Sequence, residues 1–194
     1  MNRIIEDIYK KGNVEDAEGN IVSVFPASIL YEEGKILYNI IQREKSRNTI
    51  ETGMAYGVST LFILQALRDN GIGNHIAIDP CEESTWKSIG LLNIKRSNLD
   101  DIFRFYNAPS HDTLPKLLSN RERFDFAFID GAHMFDYALI DFFYIDKLLD
   151  TGGYIVFHDL WMPSIRKVLS FILRDRNYEM TSEFSESFSR TYKL

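Results

Sequence analysis

Residues 49–67 read TIETGMAYGVSTLFILQAL. Thr49–Glu51 is predicted as a short strand that ends on an acid. Gly53 and Gly57 follow, four residues apart, and Ser59 to Leu67 then carries Leu61, Leu64 and Leu67 at helical spacing. A glycine turn between strand and helix lets the backbone pass close to a ligand, because no Cβ stands in the way. The helix that opens at Ser59-Thr60 presents free N–H groups and the positive end of its dipole to an anionic group. The spacing narrows the ligand. A dinucleotide fingerprint would read G-x-G-x-x-G, and a P-loop would run into Gly-Lys-Ser/Thr; G-M-A-Y-G does neither. Glu51, two residues before Gly53, would repel a pyrophosphate and suits a cationic amino group.

Outward from this turn the pattern alternates. Strands are predicted at His75–Asp79, Ile102–Tyr106, Phe124–Asp130 and Tyr154–His158. Helices are predicted at Trp86–Asn98, Thr113–Ser119, Tyr137–Leu149 and Ser164–Arg174. FDFAFID (124–130) is nearly all apolar, as expected of a strand covered on both faces. Such alternation predicts a parallel sheet wound on both faces. Two last strands, near Tyr178–Phe184 and Phe188–Leu194, are expected to pair as an antiparallel hairpin. Upstream, residues 1–25 read as a polar lead-in with a turn at Glu18-Gly19-Asn20, and a helical pattern runs from Pro26 through Ile41. Ligands of doubly wound sheets bind beyond the carboxyl ends of the strands. Glu51, Asp79, Asn107, Asp130 and Asp159 all fall at those ends.

The 194 residues suit one domain, 1–194, with 1–48 as a helical lid or cap and 49–194 as the core. Hydrophobic residues at 45% and charged residues at 26% match an ordinary globular chain. The net charge of −6 disfavours a nucleic-acid partner held through phosphates. One cysteine, Cys81, rules out an intrachain disulfide and a cysteine zinc cluster. With no membrane-length apolar run and no secretory signal at the N-terminus, the expected address is the cytoplasm and no membrane partner is expected.

Asp79, closing the second strand of this core, is placed to accept hydrogen bonds from a ribose diol. A nucleoside with a positive amino-acid tail and no phosphates fits both acids, and S-adenosylmethionine is such a molecule. The stretch E51-T-G-M-A-Y-G57-V-S-T resembles the E/D-x-G-x-x-x-G motif of class I S-adenosylmethionine-dependent methyltransferases. HIAIDP resembles their second-strand acid motif. FDFAFIDGAH and LLDTGGYIVFHDL resemble the fourth- and fifth-strand motifs of the small O-methyltransferases, the catechol-type and bacterial small-molecule and sugar group. The resemblance spans about residues 26–194. It implies a Rossmann-like α/β/α sandwich whose seven-stranded, mostly parallel sheet ends in an antiparallel strand. It implies that Glu51, Gly53 and Gly57 line the methionine part, with Tyr56 in the same wall and Ser59 near the carboxylate. Asp79 would take the ribose hydroxyls, Pro80 and Cys81 would lie beside the adenine, Ser110 at its edge, and Asp130 below the transferring methyl.

Methyl transfer to a hydroxyl needs the acceptor aligned and its proton removed. Two devices are in view. A divalent ion, Mg or Mn, would be held by Asp130 and Asp159 with His158, which stands where catechol-type relatives carry the first acid of a pair. Alternatively His133 or His158 is the base, with Asp130 beside it. Asp141 and Asp146 read as a solvated helix face, and His111-Asp112 as a cap for a helix starting at Thr113. Trp86, Trp161, Phe135 and Tyr137 are expected near an acceptor site. The resulting expectation is an enzyme that O-methylates a small molecule, with room for a homodimer. Two alternatives stay open: a donor-binding module without catalysis, and an oxidoreductase on a similar sheet, against which the absent G-x-G-x-x-G speaks.

Overall fold

The computed structural model describes residues 2–181. The chain opens with α1 (Arg3–Lys11) and a small antiparallel hairpin of β1 (Asn13–Glu15) and β2 (Ile21–Ser23). Helix α2 (Tyr31–Glu44) leads into the core, which runs β3 (Asn48–Thr52), α3 (Val58–Asn70), β4 (Asn74–Ile78), α4 (Ile89–Arg96), β5 (Phe103–Tyr106), α5 (Ser110–Ser119), β6 (Phe124–Ile129), α6 (Phe135–Leu148), β7 (Leu149–Phe157) and α7 (Pro163–Asp175). The five core strands lie in the order β5-β4-β3-β6-β7, and every pair is parallel.

Side chains alternate across the sheet, so neighbours in one strand enter different cores. Phe126 and Phe128 join α2, α3 and α4 in one buried cluster, while Ala127 and Ile129 join α5, α6 and α7 in another. That is why FDFAFI reads as a continuous apolar run. The order turns back at β3, with β4 on one side and β6 on the other, and the crevice between their carboxyl ends is the switch point where such sheets bind ligands.

Several expectations shift. The lead-in folds into a helix and a hairpin, in whose turn the buried Asp16 accepts from the backbone N–H groups of Glu18 and Asn20. The helical pattern from Pro26 becomes helix only at Tyr31. The helix expected from Trp86 begins at Ile89, leaving Trp86 in a loop. Helix α5 starts at Ser110 rather than Thr113, so His111 and Asp112 lie inside its first turn and do not cap it. Strand β7 begins at Leu149 and carries Gly152-Gly153 within it, with a register irregularity between Phe124 and Phe126. Of the two last predicted strands, Tyr178–Thr181 is not in a strand, and the rest lies outside the described residues. Five parallel strands therefore make the core sheet among the described residues. None of the described helices is long and apolar enough to cross a membrane.

Candidate active site at the carboxyl ends of the strands

A cavity of about 480 Å³ opens over the switch point. Its walls come from the glycine turn (Thr52–Ala55, Val58 and Ser59), the end of β4 and its loop (Ile78–Cys81, Thr85, Trp86), and the start of α5 (Pro109–His111). The loop after β6 (Asp130–His133), the end of β7 (His158, Asp159) and the segment Pro26–Ile29 complete it.

The glycine turn is fixed from below. Gly53 has φ +84°, and a Cβ there would overlap the carbonyl of Asp130. The turn thus lies directly on the loop after β6. Gly57 has φ +73° and sets the start of α3, where a Cβ would come 3.1 Å from Gly90 Cα. Glu51 is fully buried and absent from the cavity wall. It accepts from Ser59 Oγ (2.8 Å), from Thr60 Oγ1, and from His75 Nε2 at 3.1 Å, while Thr49 Oγ1 lies 2.8 Å from the other ring nitrogen. These contacts hold the first turn of α3 and strand β4 to the end of β3. Tyr56 is likewise buried off the wall, edge-on to Trp86 with centroids 5.1 Å apart. Asp79 is on the wall: Oδ2 accepts from Met54 and Ala55 N–H at 2.9 and 3.0 Å, and Oδ1 from Cys81 N–H at 2.7 Å. Pro80 and Ser110 also line the cavity, as do Gly53 and Ser59; Gly57 and Asn107 do not.

At the far end Asp130, His133, His158 and Asp159 converge. His133 Nε2 lies 3.3 Å from Asp159 Oδ2. His158 Nδ1 lies 3.1 Å from Asp130 Oδ1 and 3.4 Å from Asp159 Oδ2, and its Nε2 lies 3.3 Å from Glu33 Oε2. Both nitrogens of His158 thus face carboxylates. Burial works against its charge, but the hydrogen bonds to Asp130 and Glu33 outweigh it and hold the imidazolium up to about 11. Burial raises the carboxyl of Asp130, opposed by the same histidine. For Glu33 burial is outweighed, and hydrogen bonds from His158 and the Leu30 N–H leave it below its ordinary value. Asp159 has φ +52°, an uncommon backbone for a residue with a side chain. Its Oδ1 accepts from the indole N–H of Trp161 at 2.7 Å.

Ligand atoms of Asp130, His133 and Asp159 all lie within 4.8 Å of one another, the spacing of a cation site. The trio differs from the expected Asp130, Asp159 and His158: the geometry brings in His133. His158 stands outside this trio, with each of its nitrogens turned to a carboxylate. A further departure concerns Asp141. Asp141 is 2% exposed and on the cavity wall, so it is no solvated face; Asp146 accepts from Tyr178 Oη at 2.8 Å. His111 meets Tyr137 edge-on, centroids 5.8 Å apart, and both line the cavity. Trp86 is on the wall, whereas Phe135 and Trp161 are exposed.

A family model described as a methyltransferase domain matches residues 50–160, more than half of the chain. The chain belongs to this methyltransferase family. An uncharacterized protein of Acanthamoeba polyphaga mimivirus is 33% identical over 139 residues, covering 65% of this chain and 59% of that protein. Caffeoyl-CoA O-methyltransferase of Pinus taeda is 30% identical over 142 residues, covering 69% of this chain and 51% of that enzyme. The chain thus spans little more than half the length of these curated relatives. The crystal structure of an O-methyltransferase from Bacillus cereus in complex with SAH superposes with a TM-score of 0.70 at 21% identity, over 90% of this chain and 80% of that one. That likeness establishes the methyltransferase fold. The family match covers the glycine turn, Asp79, Asp130, His133, His158 and Asp159 together.

Proposed function

We propose that this chain is an S-adenosylmethionine-dependent methyltransferase that methylates a hydroxyl group of a small molecule. The observation that carries the reading is the continuity of one cavity. It runs from the glycine turn and Asp79 to the Asp130–His133–Asp159 cluster, with Gly53 set against the Asp130 carbonyl. A donor lying on the turn would present its sulfonium methyl toward that cluster. The Bacillus cereus relative's complex with SAH and the Pinus taeda enzyme's name support the donor and the oxygen acceptor.

In this reading Gly53 and Ser59 wall the methionine end, Asp79 with Pro80 and Cys81 the nucleoside, and Ser110 the base. Glu51, Tyr56 and Gly57 shape that wall from beneath. Transfer is an in-line displacement: the acceptor oxygen bonds to the methyl carbon as the carbon–sulfur bond breaks, and the hydroxyl proton must leave. Without a bound ion, His133 takes that proton, with Asp159 orienting its ring. His158, flanked by carboxylates at both nitrogens, serves as a fixed cation beside Asp130. Two carboxylates and an imidazole fit a divalent ion, and the nitrogen favours Mn or Zn over Mg. Bound by Asp130, Asp159 and His133, such an ion would lower the acceptor's pKa and orient it.

The test has two stages. Calorimetry should show binding of S-adenosylhomocysteine and none of NADH; the reverse would sink the reading. Turnover is then measured over a panel of phenolic and sugar hydroxyl acceptors, with and without a chelator. Turnover that survives the chelator but is lost in His133→Asn assigns His133 the proton. Turnover lost to the chelator and restored by Mn²⁺, with Mn²⁺ affinity weakened in His133→Asn, assigns His133 to the metal. Donor binding with no turnover on any acceptor would favour a binding module instead.

A further inference from the structure

Glu33 lies in the first turn of α2, 125 residues before His158, and is not on the cavity wall. One of its oxygens does two things. Oε2 accepts the Leu30 N–H at 2.7 Å, closing the start of the helix, and it meets His158 Nε2 at 3.3 Å. Capping needs only the first of these contacts. The second extends a line of hydrogen bonds from α2 to the bottom of the cavity, because His158 Nδ1 continues to Asp130 Oδ1 at 3.1 Å. The ring is also set edge-on to Phe128, with centroids 6.2 Å apart. An imidazole bonded at both nitrogens and packed edge-on against Phe128 keeps its orientation, and the carboxylate it touches is held with it.

We infer that Glu33 is a positioning residue of the acceptor centre, acting through His158 to hold Asp130; the inference rests on the methyl-transfer reading of the cavity. Glu33 is not on the cavity wall, so its effect passes through the histidine. It also joins the cavity segment Pro26–Ile29 to the end of β7, since the cap on Leu30 and the contact to His158 share one oxygen. Neutralising Glu33 loosens the Asp130 carboxylate without touching the donor wall. Losing an outer hydrogen-bond partner of a reactive or ligating group typically costs roughly tenfold to a hundredfold.

The experiment uses the full chain with Glu33→Gln, which keeps the shared oxygen as a neutral acceptor for the Leu30 N–H and turns the charge-assisted bond to His158 into a weaker neutral one, and with His158→Gln and the double variant. In Glu33→Gln, affinity for S-adenosylhomocysteine should stay within about twofold of the unaltered chain while kcat falls roughly tenfold or more. The double variant should be no slower than His158→Gln alone, because the two act in one line. Imidazole nitrogen NMR should show the His158 Nε2–H signal moved by Glu33→Gln. An unchanged kcat in folded Glu33→Gln, or additive losses in the double variant, would overturn the inference. So would an unmoved Nε2–H signal, and that arm decides alone where no acceptor turns over. A chain that fails to bind S-adenosylhomocysteine would sink the methyl-transfer reading instead, and the imidazole signal would still judge the Glu33 contact.

Discussion

His75 and Glu51 meet at 3.1 Å on adjacent strands, both closed to water. His75→Ala removes one of the three donors to a buried carboxylate and leaves a void beside it. We expect a loss of about 3 kcal/mol in unfolding free energy, the scale of breaking a buried pair from one side. A urea midpoint shifted by less than one third of that would show the contact to be dispensable. Because Glu51 also fixes Ser59 and Thr60, affinity for S-adenosylhomocysteine should fall with stability.

Gly53→Ala adds a methyl group where the Asp130 carbonyl already stands, at a backbone angle that favours glycine. The turn and the loop after β6 must separate to admit it. The expected outcome is a folded protein, destabilised by about 1–3 kcal/mol, with donor binding lost by calorimetry. Retained binding would show that the turn can move away from Asp130.

Glu82 is fully buried, and its Oε2 has no hydrogen-bond partner; burial raises its carboxyl from 4.5 to about 7. A folded-state value above the unfolded one means that the folded chain holds the proton more tightly. Its contribution to stability is complete below about pH 4.5 and is lost as pH rises through about 7. Stability should fall by on the order of 2 kcal/mol over that window from this residue. Glu82→Gln should flatten the fall, measured as the difference between unaltered chain and variant in denaturant titrations at pH 5 and pH 8. Parallel profiles would contradict the assignment.

Trp161 is half exposed, yet its indole N–H is given to Asp159 Oδ1 at 2.7 Å. Trp161→Phe keeps an aromatic ring and removes the donor. Stability should change by no more than about 0.5 kcal/mol, as for an ordinary surface site. On the proposed function, acceptor turnover should fall while S-adenosylhomocysteine affinity holds. Equal losses in both would place the tryptophan's role in the fold.

Much of this site follows from local pattern. The glycine turn, the acids at strand ends and the buried FDFAFI strand are legible because turn chemistry and side-chain period act over a few residues. What escaped reading depends on contacts between distant segments. Nothing near Glu33 marks it as a partner of His158, since a capping acid looks the same with or without one. His75 reads as an ordinary strand residue until its neighbour β3 brings Glu51 beside it. Asp141 alternates with apolar positions on α6 much as a solvent-facing acid does, and only the packing of α6 against α5 turns it inward. The histidine pair was legible as a pair, but the division of labour was not. In the proposed function it follows from which nitrogens face which carboxylates.

The three N–H groups gathered by Asp79 have a thermodynamic meaning. By joining Met54, Ala55 and Cys81 they make the first turn and the second loop a single stiff body before any ligand arrives. On the proposed function, a donor settling there would meet a mould already set, and little of its binding free energy would go into ordering the protein.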